Sequence, residues 1–223
     1  MSNLSYMQKA TDRGQLQIHV TTERGFFPIK DASIRLSYTG NPTEIIEELS
    51  TDISGQTAAV ELPAPPLEYS MEPSEFQPYS EYTIQVNASG YRPINISGIS
   101  VLPDKTSIQN VRMETATVEN PLERNIVITA NTLYGNFPPK IPEDEIKPMT
   151  ESGEIVLSRV VIPEYVIVHD GPPSDSSAND YYVRYRDYIK NVAACEIYST
   201  WPRATLEANI LAIMSFTLNR VYT

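Results

Sequence analysis

The chain has 223 residues, 41% of them hydrophobic and 20% charged, enough for one large or two small packed domains. Its formal charge of -11 leaves no Lys/Arg-rich face to neutralise phosphates, which argues against a nucleic-acid partner. One cysteine allows no internal disulfide, and neither an apolar run of about 18 residues nor a basic segment leading into an apolar one occurs, so the sequence predicts no membrane span and no classical signal peptide.

Residues 1-13 are expected to form a flexible N-terminus. From residue 14 to 116 the pattern is one of strands: Leu16, Ile18 and Val20 alternate with polar neighbours, as do Ala32, Ile34, Leu36 and Tyr38, and then Tyr82, Ile84, Val86 and Ala88. Turn signals at Glu23-Arg-Gly25, Tyr38-Thr-Gly-Asn-Pro42, Ser54-Gly55, Ser89-Gly90 and Leu102-Pro-Asp104 give these runs the spacing of an antiparallel β-sandwich. His19 alternates out of the first strand and is expected to be exposed. The stretch from Leu62-Pro-Ala-Pro-Pro-Leu67 to Gln77-Pro-Tyr79 is too rich in proline for a central strand and reads as an ordered loop or an edge crossing.

Residues 117-153 gather Pro138, Pro139, Pro142, Glu143-Asp-Glu145 and Pro148 and read as an exposed connector. Exposed backbone of this kind is where a maturation protease cuts most easily, between Lys140 and Glu154; a plain spacer is the other reading. Residues 154-223 then begin a second domain. Residues 154-162 and 165-169 are expected strands, and 170-180 a loop. A helix should start near Arg186 or Asp187 and carry Glu196 close to its end; a second should be capped by Ser199 or Thr200, with Pro202 in its first turn. In that second helix Leu206, Ile210, Ile213, Met214 and Val221 recur at helical spacing with Ala208, Ala212 and Phe216 beside them, which predicts a helix covered over most of its surface. The fold class expected is therefore α+β, mainly β.

In the first of these helices Ile189, Val192, Ala193 and Glu196 fall at i, i+3, i+4 and i+7, which puts a carboxylate on the apolar stripe. Burial there would disfavour its charged form and raise its pKa into a proton-donating range, making Glu196 the candidate catalytic acid; a solvated or capping glutamate is the alternative. Asp187 lies nine residues away on the same helix, about 13 Å along the axis, too far to serve as the second carboxylate of an ordinary glycosidase. Trp201 is a candidate sugar-stacking platform or else a packing anchor, and His169 a pocket residue or else a strand-end histidine. Cys195 is expected to be a small buried residue. Zinc-ligand spacings and a glycine-rich phosphate loop are both missing, so neither a metal nor a cofactor is expected.

Two resemblances add to this reading. Asp31-Ala-Ser-Ile-Arg-Leu36, Thr51-Asp-Ile-Ser-Gly55 and Ser80-Glu-Tyr-Thr-Ile-Gln-Val-Asn-Ala-Ser-Gly-Tyr91 resemble the transthyretin-like modules of carboxypeptidase regulatory domains, which implies a small β-sandwich and no particular job. Tyr188-Ile-Lys-Asn-Val-Ala-Ala-Cys-Glu196, with Trp201-Pro202, Ala204, Leu206, Ala208 and Ala212, is similar to the core of the stage II sporulation protein D family of peptidoglycan lytic transglycosylases. With Leu133-Tyr-Gly-Asn-Phe-Pro-Pro-Lys-Ile-Pro142 and Val161-Ile-Pro-Glu-Tyr-Val-Ile-Val-His-Asp-Gly171, the likeness extends over residues 14-223 to the clostridial spore cortex-lytic enzymes.

What these likenesses imply is a zymogen of the bacterial spore, in its cortex and coat region, activated at germination by a subtilisin-like protease. Its substrate would be cortex peptidoglycan, cleaved with Glu196 as the single general acid/base. Members of the family continue past the Ala-rich helix, whereas this chain stops at Arg220-Val-Tyr-Thr223, so residues 154-223 are expected to be the N-terminal part of a truncated catalytic domain. The competing expectation is a non-catalytic docking or inhibitory module.

Overall fold

The structure, a computed structural model, describes residues 12-72, 76-117, 122-131, 133, 161-172 and 174-222. The chain divides into two compact units, Met1–Thr132 and Leu133–Thr223.

The first unit contains strands β1 (Asp12–Thr22), β2 (Ser33–Tyr38), β3 (Asn41–Ser50), β4 (Val60–Ala64), β5 (Ser80–Asn87), β6 (Ile94–Val101), β7 (Thr106–Met113) and β8 (Arg124–Val127), with one short helix, α1 (Glu68–Met71). They form a five-stranded sheet in the order β3-β2-β5-β6-β8 and a three-stranded sheet in the order β4-β1-β7. The alternating apolar positions turn to one face of each sheet. Leu16, Ile18 and Val20 of β1 meet Ile34 and Leu36 of β2 and Tyr82, Ile84 and Val86 of β5 in a single core, all with no exposed surface. Each such side chain contributes about 1.5–3 kcal/mol relative to its exposed state. The fold is mainly β, a sandwich, as its pattern predicts.

Several expectations need correction. Most pairs are antiparallel, but β1 and β7 run parallel, as do β6 and β8. Residues 12 and 13 belong to β1 and not to a flexible tail: Asp12 pairs with Ala64 and Arg13 with Pro63, the Asp12 carboxylate accepts the Leu67 N–H at 2.8 Å, and Arg13 lies 3.2 Å from Glu61. Residues 1-11 lie outside the described residues. The connector does not begin at 117, because β8 adds to the sandwich along β6, with Ile94 opposite Arg124 and Ser97 opposite Val127. The bulk of the expected connector, and the cleavage region with it, lies outside the described residues. The proline-rich stretch does contain a strand, β4, and its Pro63 is tolerated because β4 is an edge strand; Pro42 sits likewise in β3, the edge of the other sheet. His19 is half-buried rather than exposed, its Nε2 enclosed without a hydrogen-bond partner.

The second unit contains an antiparallel hairpin, β9 (Tyr165–His169) and β10 (Asp180–Arg184), followed by α2 (Tyr185–Glu196) and α3 (Arg203–Tyr222). Val166 of β9, Tyr185, Ile189 and Ala193 of α2 and Ile213 of α3 form its core. The i, i+4, i+8 spacing of the three α2 residues is the stripe that packs. Helix α2 starts one residue before the expected Arg186, directly from the hairpin. Helix α3 starts at Arg203, where the carbonyl of Pro202 accepts the N–H groups of Thr205 and Leu206 at 2.9 and 3.1 Å. Thr200 does not cap it, since its hydroxyl is enclosed without a hydrogen-bond partner. Nor is α3 covered on most of its surface. Ile213 and Thr217 are buried, while Leu211 and Phe216 are 62% and 60% exposed.

Candidate functional site

Glu196 is the last residue of α2 and is exposed, which overturns its expected burial. Glu196 does lie in line with Ile189, but the stripe that packs drifts through Ala193 to the buried Ile197, and the helix ends before anything lies over Glu196. Cys195, expected to be buried, is exposed as well, because it points away from the Ile189–Ala193 stripe.

What fixes the glutamate is a residue of the next helix. Asn209 Nδ2 donates to Glu196 Oε2 at 3.2 Å. The other amide atom, Asn209 Oδ1, is enclosed and has no hydrogen-bond partner, as is the Thr200 hydroxyl in the turn between the helices. Two polar atoms without partners on the segment that follows one carboxylate are unusual, because an enclosed polar group with no partner costs about 1–3 kcal/mol. Sequence reasoning missed Asn209. The signal was available, since Asn209 stands at helical spacing with Leu206 and Ile213, a polar residue on the covered side of α3.

The turn that leads to α3 carries Trp201, which is half-buried, its backbone N–H donating to the Tyr198 carbonyl at 3.1 Å. Tyr198 is itself buried, and its hydroxyl accepts the Leu133 N–H at 3.1 Å. Trp201 therefore sits on the two-helix turn, five positions after Glu196.

His169 belongs to a different feature. It ends β9 opposite Asp180, with Nδ1 3.0 Å from the Asp180 carboxylate and Nε2 3.0 Å from the Pro172 carbonyl. The hydrogen bond to Asp180 holds its pKa above the usual histidine value, outweighing the opposing desolvation, with the Pro172 carbonyl and the charges of Asp180 and Asp175 adding to it in the same direction. Both ring nitrogens are thus engaged in closing the hairpin loop, the arrangement of a strand-end histidine. Asp175 folds the same loop by accepting from the Ser177 N–H and hydroxyl at 2.9 and 2.6 Å.

Asp187, in the first turn of α2, lies 3.9 Å from Arg186. Among the described residues no group of three or more His, Cys, Asp or Glu side chains is placed to hold a metal ion, and no helix is long and apolar enough to cross a membrane.

No protein-family model matches the chain, and no curated protein matches it. Among solved structures it is similar to the TIE protein of Bacillus anthracis, at 17% identity over 47% of this chain and 17% of that one, with a TM-score of 0.32. It is also similar to GBS52, the minor pilin of Streptococcus agalactiae, at 15% identity over 48% of this chain and 46% of that one, with a TM-score of 0.34. For the 5-hydroxyisourate hydrolase of Klebsiella pneumoniae the identity is 15%, the coverage 46% of this chain and 92% of that one, and the TM-score 0.29. The chain thus spans less than half the length of the first two.

Proposed function

We propose that this chain belongs to a spore cortex lytic transglycosylase made as a zymogen, in which Glu196 is the single general acid/base. The observation that carries the proposal is the Glu196 carboxylate, presented to solvent at the end of α2 and steadied by Asn209 from α3, beside the turn that bears Trp201. A carboxylate exposed yet oriented is open to a glycan strand, and a bound glycan would exclude water from it.

The reaction balances with that one group. The protonated carboxyl of Glu196 donates its proton to the oxygen linking muramic acid to glucosamine, and the bond from the muramic anomeric carbon to that oxygen breaks. The muramic 6-hydroxyl then closes on the anomeric carbon and returns its proton to Glu196, giving a 1,6-anhydro end with no water consumed. Because no water is activated, no second carboxylate is needed. Trp201 would offer a stacking face for a sugar ring. In this reading the sandwich is the prodomain, the segment between Lys140 and Glu154 is cut by a subtilisin-like protease during germination, and the substrate is cortex peptidoglycan.

A second reading, a non-catalytic docking or inhibitory module, is favoured by one observation: Glu196 lacks the burial that its role as an acid was expected to need. Mass spectrometry of muropeptides released from cortex peptidoglycan separates the two, comparing the whole protein, trimmed between Lys140 and Glu154, with its Glu196→Gln variant. Anhydromuramic ends that vanish in the variant support the transglycosylase. Reducing ends mean a hydrolase, and product release unaffected by the change makes Glu196 structural.

A further inference from the structure

Asn209 treats the two carboxyl oxygens of Glu196 differently. Its Nδ2 donates to Oε2 at 3.2 Å, and among the described residues Glu196 makes no other hydrogen bond, which leaves Oε1 open. Packing fixes both ends of this contact. Ala193, one turn before Glu196 on α2, and Ile213, one turn after Asn209 on α3, are buried together in the core of the second unit. Asn209 is half-buried and leaves the packed side of α3 to reach the end of α2, so a rigid element holds the amide.

The amide is also fixed in one orientation. A carboxylate only accepts hydrogen bonds, so Nδ2 and not Oδ1 must face it. With Nδ2 turned that way, Oδ1 is enclosed and has no partner among the described residues, an arrangement that costs stability. An apolar side chain of the same shape would avoid that cost. An unsatisfied acceptor of this kind calls for an explanation, and the donor at the other end of the same amide supplies one.

We infer that Asn209 is the positioning residue of the general acid/base, and that it makes Oε1 the oxygen through which the proton leaves and returns. The inference rests on the reading of Glu196 as that acid/base. A proton on Oε2 would compete with the Nδ2 donor for the lone pairs of that oxygen, whereas a proton on Oε1 leaves them free. The carboxyl therefore carries its proton on Oε1, with Oε2 as the carbonyl oxygen held by Asn209. In the first step the Oε1–H bond breaks and the proton passes to the glycosidic oxygen, which keeps the electron pair of its broken bond to the anomeric carbon. In the second the muramic 6-hydroxyl oxygen bonds to that carbon and its proton re-forms the Oε1–H bond. Nδ2 donates to Oε2 throughout, so no side chain has to turn between the two steps.

Two measurements test this, the first of the contact and the second of the chemistry. In the full chain, NMR follows the side-chain amide protons of Asn209 through the ionisation of Glu196. They should shift with the same midpoint as the Glu196 carboxyl carbon, and their failure to shift there would overturn the inference.

The second measurement is the release of anhydromuramic ends at saturating and at limiting glycan, by the whole protein trimmed between Lys140 and Glu154 and by its Asn209→Leu variant. Leucine has nearly the shape of asparagine and replaces the unpartnered Oδ1 by a methyl group, so the unfolding midpoint should be equal or higher. The expected kcat is lower by about tenfold to a hundredfold with KM unchanged. Asn209→Gln keeps an amide donor on a longer arm and should retain more of kcat than Asn209→Leu. An unchanged kcat, equal losses in the two variants, or a loss that parallels a lowered unfolding midpoint would overturn the inference. Glu196→Gln identifies which reading has failed. If it abolishes release while Asn209→Leu does not, only the role of Asn209 falls; if it releases product like the parent, the acid/base role of Glu196 falls and the inference with it.

Discussion

The hydroxyl of Tyr82, on β5, donates to the carbonyl oxygen of Pro63, on β4, at 2.6 Å, so a hydrogen bond joins the two sheets of the sandwich. Tyr82 has no exposed surface, and burial pushes its pKa far up, which favours the protonated, donating hydroxyl. Tyr82→Phe keeps the ring and loses the donor. The expected cost is about 1 kcal/mol, read from the midpoint of urea unfolding with an unchanged slope. A variant as stable as the parent would show that the ring alone ties the sheets.

His169 and Asp180 give the second unit a pH dependence whose sign is fixed. The folded pKa of His169 is raised above its ordinary value of 6.5 by the Asp180 hydrogen bond. The stability this contributes is complete below pH 6.5 and is lost as pH rises through the folded pKa. The pair is solvent-exposed, so the effect should shrink with added salt. NMR titration of the imidazole protons is the direct measurement. In Asp180→Asn the His169 midpoint should fall toward 6.5. A His169 midpoint at or below 6.5 in the unaltered protein would contradict the geometry.

Glu196→Gln should be nearly silent in stability. The side chain is exposed, and its one hydrogen bond from Asn209 can be accepted equally by a glutamine oxygen. A change within about 0.5 kcal/mol in chemical denaturation is expected. That neutrality gives the muropeptide comparison its meaning, since a lost product could not then be blamed on a lost fold. A large destabilisation would instead make Glu196 a structural residue.

Strands with strict alternation and one buried face were legible in the sequence, as Leu16, Ile18 and Val20 show. Strands at the sheet edges were not. In β3 the run Glu44-Ile-Ile-Glu-Glu-Leu49 has no period of two, because it is largely exposed, and the turn signal at Gly40 and Pro42 masked its start. In β8 four residues, two of them exposed, inside a proline-rich, acidic neighbourhood carry too little pattern to stand out. At the candidate site the helical phase of Glu196 was legible and its environment was not. Phase says which way a side chain points, while cover depends on what another element places there, and that is decided by tertiary packing. Asn209 shows the same limit from the other side, a polar residue on a covered face whose partner lies thirteen residues earlier in the chain.

Gly98 tests whether β8 truly belongs to the sandwich. Its backbone has φ of 84°, in the region where side chains are strained, and it lies in β6 where the pairing with β8 ends. The N–H of Ile128 donates to the Ser97 carbonyl at 2.9 Å, which draws the Ile128 backbone against Gly98. A Cβ at position 98 would come within 2.3 Å of the Ile128 carbonyl oxygen, backbone that cannot swing aside like a flexible side chain. Gly98→Ala therefore carries both a conformational penalty of about 1–3 kcal/mol and a clash that the chain relieves only by moving the end of β8 outward. The loss should appear in two measurements at once, as a lowered unfolding midpoint and as faster amide exchange at Ile126 and Ile128, while the amides of β1 keep their relative protection. If β8 were merely the start of a connector, the clash would relax locally, leaving only the conformational penalty in the midpoint and the exchange at Ile126 and Ile128 unchanged relative to β1.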